Sequence, residues 1–352
     1  MKNGDSNSKF FHNKATQPFR KNSILGIKDG GGNWQEQPDL IGDIIVDFFG
    51  ELFTTCNPVM EDDSLSFIPQ LVIDEINDQL TGEFMGWEVQ EALKQMVPLK
   101  ALRSDGVPPL FYQHFWGMMN QEVTSTILTW LNSSKLPHPI NHTFITLILK
   151  VKTPVLVSEY RPISLCNVLY KIFAKVLANR LKKFMPKLIT EHQSAFAKNR
   201  FISNNFLVSF EILHCMKNHN LGETDFMAVK LDMSKAYDRV EWNYLQKLME
   251  KMGFCTRWIE LIMECVRIIS YSILVNGEPK GLINPTRGIR QRDPLSPFLF
   301  LLCTEGLHGL ITKAVRAKEI NGFSLCKRGL KLTHLFFVDD SLLFLQGQPP
   351  RM

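Results

Sequence analysis

Two adjacent carboxylates, Asp339 and Asp340, interrupt an otherwise apolar stretch of the chain and limit how that stretch can fold. Apolar runs at 335–338 and 342–345 flank them, which predicts two strands joined by a tight hairpin. Adjacent like charges repel, and desolvation adds to the cost, so a divalent cation is a natural partner for the pair. Taken alone, an Asp-Asp pair is more simply explained as an exposed polar turn. Its meaning therefore depends on the residues around it.

A third carboxylate, Asp232, stands where the apolar run 226–231 ends. We interpret that run as a buried strand, so that Asp232 projects from the end of an element in the interior. Carboxylate oxygens are hard ligands and suit Mg²⁺ or Mn²⁺. The three residues Asp232, Asp339 and Asp340 are therefore the candidate metal ligands.

Charge is distributed unevenly along the chain, although the net charge is only +5. Segment 36–91 has 14 Asp and Glu and no Lys or Arg, whereas segment 150–200 has 11 Lys and Arg against two Glu. The basic segment is where we expect a polyanion to bind. The alternative explanation of such a run is a solvated face.

Apolar periodicity predicts an α+β fold. Helical spacing occurs at 40–52, 89–96, 169–184 and 296–310, and strand-type runs occur at 144–149, 226–231, 335–338 and 342–345. The glycine-rich segment 29–33 predicts a loop or a small hairpin. No regular alternation of strand, helix and strand is present, which favours α+β over α/β.

The predicted helix at 169–184 has a basic side. Its apolar residues fall on one stripe, and its lysines fall largely outside that stripe: Lys171, Lys175, Lys182 and Lys183. We therefore expect a core-anchored helix with a basic outer surface that binds nucleic acid.

A series of motifs runs in order along the chain. They are GDSNSKFFH at 4–12, DG at 105–106, YRPISLCN at 160–167, HQSAF at 192–196 with Arg200, LDMSKAYDRV at 231–240, RGIRQRDPLSP at 287–297 and FVDD at 337–340. This ordered set resembles the LINE-type, non-LTR reverse transcriptases common in plant genomes. A group II intron maturase shares the core motifs, but the segment at 4–12 is similar to the linker that follows the endonuclease in LINE-type elements.

The resemblance implies a right-hand polymerase with fingers and palm, and with the thumb missing because the sequence stops soon after the Asp-Asp motif. It implies a linker at 1–35, an acidic helical region leading into the fingers at 36–130, and a reverse transcriptase domain at 131–352. The implied activity is RNA-directed DNA synthesis from dNTPs with Mg²⁺ or Mn²⁺, on an RNA template and a DNA primer. The alternative is an inactive remnant that at most binds nucleic acid.

The resemblance also assigns individual residues. Asp232, Asp339 and Asp340 become catalytic metal ligands. Residues that would contact the nucleotide are Lys150 and Arg161 on its triphosphate, Tyr237 against a ribose 2′-hydroxyl, and Gln291. Arg200 joins the lysines of the 169–184 helix as a nucleic-acid-binding residue. Asp238 is instead expected to be structural, with a local hydrogen bond near a helix start.

One position departs from the family pattern in a way that predicts backbone geometry. Arg292 stands where the family has glycine, so we expect a positive φ there and a long cation near the nucleotide. The seven scattered cysteines form no CxxC pair and are interpreted as reduced thiols of an intracellular protein, with nucleus and cytoplasm left open. The longest apolar stretch near the C-terminus, at 298–303, is too short to span a membrane.

Overall fold

The computed structural model describes residues 23–59, 65–98, 106–194, 200–218, 226–324, 331–337 and 340–346. The helices in this part of the chain are α1 (Pro38–Leu52), α2 (Asp74–Thr81), α3 (Gly86–Lys94), α4 (Pro109–His114), α5 (Trp116–Ser133), α6 (His138–Asn141), α7 (Val168–Lys182), α8 (Met185–Leu188), α9 (Ile202–Asn218), α10 (Trp242–Met252), α11 (Thr256–Arg267) and α12 (Ser296–Arg316). The strands are β1 (Ile27–Lys28), β2 (Trp34–Gln35), β3 (His142–Leu149), β4 (Tyr160–Cys166), β5 (Phe226–Asp232), β6 (Ser270–Val275), β7 (Glu278–Ile283), β8 (Phe323–Ser324), β9 (Lys331–Leu332), β10 (His334–Phe337) and β11 (Asp340–Gln346). Helices and strands are mixed, as the sequence predicts.

A four-stranded sheet has the order β4-β3-β6-β7. β3 pairs antiparallel with β4 and parallel with β6, which comes much later in the chain. Helix α1 packs on β6 and β7 and buries Ile41, Ile45 and Phe49. This sheet therefore joins the N-terminal part of the described chain to its centre.

A three-stranded antiparallel sheet has the order β10-β11-β5 and carries the Asp-Asp motif. β10 and β11 form the predicted hairpin, with Phe337 paired to Asp340. The interpretation of β5 as a buried strand is wrong, because most of its side chains are exposed. β5 is an edge strand of this sheet, so one of its sides has no neighbouring strand among the described residues.

Helix α7 runs through the main hydrophobic core. Eleven of its residues are buried, and it packs against α2, α3, α5 and α12. The expected basic outer surface is therefore wrong for most of this helix. Helices cover the sides on which the sequence pattern predicts solvent.

The acidic segment folds directly onto this helix through Arg180, which is 6% exposed. Its guanidinium donates to both carboxylate oxygens of Glu88 at 2.8 and 2.7 Å. It also donates to the carbonyls of Leu80, Gly82 and Glu83 at 2.7–2.9 Å. All five guanidinium N–H groups thus have acceptors.

Helix α12 is long and apolar enough to span a membrane by length and mean hydropathy, which is 1.4 over its most apolar window. Half of that window is buried inside the protein. The buried residues include Leu299, Leu301 and Leu302, which belong to the main core. The helix is accounted for as a core helix by this packing.

The other predicted elements occur close to the expected positions. α1, α3, α7 and α12 correspond to the four predicted helices, and β1 and β2 form a small hairpin around the glycine-rich segment. Asp29 holds that turn, because its carboxylate accepts hydrogen bonds from the backbone N–H groups of Gly31 and Asn33 and from the Gln35 amide.

Candidate active site

The end of β5 and the start of β11 bring two of the predicted carboxylates together. Asp232 and Asp340 are direct partners in the antiparallel ladder. Their side chains therefore leave the same face of the sheet, with Cβ atoms about 4.5–5.5 Å apart. Asp339, the third predicted ligand, lies outside the described residues. Like charges directly opposite each other destabilise a sheet, so this pair requires a positive partner.

Lys230 supplies one such partner. Its Nζ lies 3.1 Å from Oδ1 of Asp340, whose side chain is 42% exposed. Lys230 and Asp232 are two residues apart on β5 and so share a face of the sheet. This face therefore holds a cation against a carboxylate, and its oxygen donors are of the kind that Mg²⁺ and Mn²⁺ prefer. Asp232 and Asp340 fit a divalent metal ion.

A cavity of about 560 Å³ opens next to Asp232. Its walls contain all four residues that the sequence assigns to the nucleotide: Lys150, Arg161, Tyr237 and Gln291. β3 leads into Lys150, β4 contributes Arg161, and the two strands are neighbours in the four-stranded sheet. Residues far apart in the sequence thus surround one space that carries both a carboxylate and cations.

Lys235 also lines this cavity, and the sequence analysis did not single it out. Burial, followed by the charge of Lys150, lowers the pKa of Lys235 to about 8. Its Nζ lies 5.6 and 5.8 Å from the ring centroids of Phe48 and Phe49. Its backbone has a φ of +56°. Its position three residues after Asp232, inside the motif LDMSKAYDRV, is the sequence signal that could have identified it.

Tyr237 and Gln291 have well-defined supports at the cavity wall. The Tyr237 ring stacks on Phe300, with centroids 4.8 Å apart and planes 13° from parallel. The Gln291 amide donates to both carboxylate oxygens of Asp238, at 3.1 and 3.2 Å. Burial raises the pKa of Asp238 to about 6, although these hydrogen bonds and nearby cations oppose the change.

Asp238 is only 2% exposed. Its carboxylate has a structural partner as expected, but that partner, Gln291, is 53 residues away in sequence. The prediction of a local side-chain hydrogen bond is therefore wrong. The short helix Tyr237–Arg239 buries the carboxylate against the segment that follows β7. This contact fixes the orientation of Gln291 at the cavity.

A buried network around Arg290 anchors the same segment. Arg290 contacts Asp293 at 3.1 Å and donates to Asn141 Oδ1 at 2.6 Å and Thr143 Oγ1 at 3.2 Å. Its guanidinium stacks on the Tyr170 ring at 3.7 Å. The Tyr170 hydroxyl in turn donates to Asp293 at 2.6 Å. This network holds the adjacent Gln291 against the cavity.

Arg292 follows Gln291 and has a φ of +70°, which confirms the predicted positive φ. An L-residue in this left-handed conformation costs roughly 1–2 kcal/mol compared with the right-handed form. The side chain is exposed and lines the cavity. It therefore adds a cation to the wall on which glycine would leave open space.

The five predicted nucleic-acid-binding residues have different environments. Lys171 is 8% exposed and Lys175 is half-buried, whereas Lys182 and Lys183 are exposed at the end of α7. Arg200 donates to four backbone carbonyls: Pro186, Ile189, Thr190 and Gln193. Lys171 and Arg200 thus contribute to the packing of the domain, because their positive groups are covered or already paired with the protein.

Comparison with known families agrees with this geometry. The family described as reverse transcriptase (RNA-dependent DNA polymerase) matches residues 148–350. The chain belongs to the reverse transcriptase family. Reverse transcriptase domains use divalent metal ions and act on nucleic acid templates and primers. The matched range contains all the described residues that surround the 560 Å³ cavity.

The relatives of this reverse transcriptase domain include proteins of mobile elements. The domain is 24% identical over 348 residues to an uncharacterized 149 kDa protein of transposon TX1 from Xenopus laevis. This match covers 97% of the present chain and 26% of the TX1 protein. It is 24% identical over 242 residues to the Pol polyprotein of the type-2 retrotransposable element R2DM from Drosophila melanogaster, or 69% of this chain and 21% of the polyprotein.

A shorter match is 46% identical over 68 residues to an uncharacterized mitochondrial protein of Arabidopsis thaliana, covering 19% of this chain and 56% of that protein. The chain spans about a quarter of the transposon TX1 protein. The prediction of a reverse transcriptase of the non-LTR retrotransposon type is confirmed by the family match and by the similarity to the TX1 and R2 proteins.

Proposed function

We propose that this domain catalyses RNA-templated DNA synthesis, adding a deoxynucleotide from a dNTP to the 3′-hydroxyl of a primer. The observation that carries the proposal is the 560 Å³ cavity, where Asp232 lies beside Lys150, Arg161 and Lys235. A dNTP combines a strongly anionic triphosphate with an uncharged sugar and a flat, uncharged base. The cavity is lined by cations and by the aromatic ring of Tyr237, which suit these two parts.

Asp232 and Asp340 are proposed to hold Mg²⁺ or Mn²⁺, with Asp339 as the further ligand implied by the family motif. The bound metal would neutralise phosphate charge and activate the primer hydroxyl. The protein positions these carboxylates by the strand register, because the partners Asp232 and Asp340 extend from the same face of the sheet. Lys230 would then move from Asp340 to an incoming phosphate or to solvent.

Lys150 and Arg161 are proposed to bind the triphosphate. Both are exposed at the cavity, so neither must break a buried ion pair to reach a phosphate. Arginine can bind phosphate oxygens with two parallel hydrogen bonds, and lysine acts as a point charge. Burial, followed by the charge of Lys150, lowers the pKa of Lys235, and a phosphate between the two ammonium groups would relieve their repulsion.

Tyr237 is proposed to select deoxyribose. Its ring is held flat against Phe300 and cannot turn away without losing that stacking contact. A rigid ring at the cavity wall would leave no room for a ribose 2′-hydroxyl. Gln291, oriented by Asp238, lines the same cavity and would also contact the nucleotide.

We further propose that the two sheets form the palm and the fingers of a right-hand polymerase. The three-stranded sheet would be the palm, because it carries the carboxylates. The four-stranded sheet would belong to the fingers, because β3 and β4 present Lys150 and Arg161. Similarity to the Arabidopsis mitochondrial protein supports a plant LINE-type origin.

Template and primer would lie across the open face of the palm sheet, and the exposed Lys182 and Lys183 would add phosphate contacts. Such contacts predict binding to RNA that weakens steeply with salt. Replacing these two lysines with neutral residues should make the slope of log K for RNA binding against log salt concentration shallower by about two. Neutralising Lys171 instead should mainly destabilise the fold, since its side chain is buried.

Primer extension on an RNA template with Mg²⁺ or Mn²⁺ tests the proposal. Asp232→Asn should abolish extension while Asp43→Asn, an exposed carboxylate on α1, should leave it unchanged. Tyr237→Ala should raise incorporation of ribonucleotides relative to deoxynucleotides. A folded wild-type chain that binds RNA but extends no primer in either metal would instead identify a non-catalytic remnant.

A further inference from the structure

Three histidines lie close together near the start of β10, and none of them lines the 560 Å³ cavity. His192, His308 and His334 each offer a ring nitrogen, and these nitrogens all lie within 4.8 Å of one another. Their ring centroids are 4.6–5.1 Å apart. The three residues come from different parts of the fold: the segment between α8 and α9, the middle of α12, and the first position of β10.

Two of these rings are oriented by threonine hydroxyls. His334 Nε2 lies 2.8 Å from His308 Nδ1, so one nitrogen of each ring faces the other ring. The opposite nitrogen of His334 lies 2.7 Å from Thr333 Oγ1, and that of His308 lies 3.4 Å from Thr312 Oγ1. Histidines that bind metals have this arrangement, in which the second ring nitrogen contacts a polar group that fixes the ring.

The third histidine is not satisfied by this arrangement. His192 Nδ1 is buried and has no hydrogen-bond partner. A buried polar atom without a partner costs about 1–3 kcal/mol, so such atoms are uncommon. A hydrogen-bonded pair of neutral histidines explains His308 and His334, but it leaves His192 unexplained.

We propose that His192, His308 and His334 bind one Zn²⁺ ion. Zinc has Zn–N distances of about 2.0–2.1 Å, which places tetrahedral nitrogen ligands about 3.4 Å apart. The nitrogen separations here, from 2.8 Å to at most 4.8 Å, bracket that value, so small side-chain movements would produce the site. Three imidazoles with one open position, taken by water, form a common zinc donor set.

The fold offers an access route to this site. His308 lines a cavity of about 310 Å³ together with Thr190, Glu305 and Thr312. Water in this cavity could supply the fourth ligand. Imidazole ligands favour zinc over magnesium, whereas carboxylate oxygens are donors that magnesium accepts well. One chain could therefore hold zinc at the histidines while abundant Mg²⁺ occupies the carboxylates.

The zinc would hold β10 in place next to the active site without contacting the substrate. β10 begins at His334 and leads through the hairpin to Asp340, and His192 contacts the same strand through its carbonyl, which accepts from the Phe336 N–H at 2.9 Å. A metal bound to all three histidines would fix β10 to α12. The three histidines are thus positioning residues for the carboxylates.

Titration of the purified chain with Zn²⁺ against a colorimetric chelator tests this, with excess Mg²⁺ present to occupy the carboxylates. We expect one tightly bound Zn²⁺ per chain and at least tenfold weaker binding in His308→Ala and in His192→Ala. His138→Ala, which changes an exposed histidine, should bind as the wild type does. Co²⁺ in place of zinc should give the visible absorption of a tetrahedral site.

Two further measurements keep the test decisive if a histidine variant fails to fold. Thr333→Ala keeps all three ligands but removes the group that orients His334, and it should weaken zinc binding roughly tenfold. The second measurement uses the wild-type protein, so its outcome does not depend on whether a variant folds. If it binds no Zn²⁺ at micromolar concentrations, or if Asp232→Asn removes the bound Zn²⁺, the histidine site does not exist.

Discussion

Replacing Arg180 with methionine should strongly destabilise the domain, because this buried side chain makes five hydrogen bonds from α7 to the acidic segment. The variant would leave the Glu88 carboxylate buried without its cation, and the carbonyls of Leu80, Gly82 and Glu83 without their donor. Removing one partner of a buried ion pair costs about 3–5 kcal/mol. Since domains have only about 5–15 kcal/mol of stability, this is a large fraction of the total.

The loss of stability in Arg180→Met should depend on pH, and the direction of that dependence identifies the buried Glu88 carboxylate as its cause. Burial by itself raises the pKa of Glu88, but the Arg180 hydrogen bonds and charge and the Met85 N–H outweigh burial and lower it. In the wild type this carboxylate therefore stabilises the fold at neutral pH, and the contribution is lost only as pH falls below about 4.5. In Arg180→Met, burial dominates and raises the pKa of Glu88. The variant should then gain stability as pH falls from 7 toward 4.5.

Urea unfolding followed by circular dichroism at pH 7 and pH 4.5 measures both effects. The difference between wild type and Arg180→Met should be about 3–5 kcal/mol at pH 7 and clearly smaller at pH 4.5. Lys182→Met, which changes an exposed residue at the end of the same helix, should stay within about 0.5 kcal/mol of the wild type. Arg180→Met combined with Glu88→Leu should lose less than the single variant. A pH-independent loss, or a loss below about 1 kcal/mol, would contradict the buried-charge explanation.

Three further predictions test other features of the structure. Burial raises the pKa of Asp238 to about 6, so its contribution to stability is lost, and the melting temperature should fall, as pH rises from about 4 to 6. Asp238→Asn should remove this fall in melting temperature. The same pH profile in the variant and the wild type would contradict the prediction. Arg292→Gly should stabilise the fold by about 1 kcal/mol because φ is positive, whereas Arg292→Ala, which keeps the strain, should not. Gly306→Ala should cost about 1–3 kcal/mol in urea unfolding, because a Cβ there would lie 1.8 Å from the Tyr244 hydroxyl oxygen. Tyr244→Phe should reduce that cost, and equal costs in the two backgrounds would argue against this contact.

Elements defined by local periodicity could be predicted from the sequence, and their environments could not. The apolar stripe of α7 identifies the helix, but the sequence contains no local sign that Arg180 pairs with Glu88, 92 residues away. The same limit explains why β5 was expected to be buried. An apolar run indicates a strand, but whether the strand is central or at the edge depends on the sheet that forms around it.

The candidate site divides in the same way. The motifs predicted which residues would surround one cavity, and Asp232, Lys150, Arg161, Tyr237 and Gln291 do so. Their catalytic roles stay predictions until the variants are measured. Groups that depend on three-dimensional contacts were missed, including the buried Arg290 network and the histidine cluster. Arg290 and Asp293 lie three residues apart in one motif, but the other members of these groups come from separate elements, so no sequence motif contains a whole group.

The order of the strands also determines when Asp232 and Asp340 can meet during synthesis. β5 ends at Asp232, but its neighbour in the sheet is β11, which begins at Asp340. A ribosome adds roughly 5–20 residues per second, so β5 must wait on the order of ten seconds for its partner. The four-stranded sheet is complete once β7 has been made, well before that time. The growing chain can thus complete the sheet that carries Lys150 and Arg161 first, while β5 stays without its partner strand until translation reaches β11.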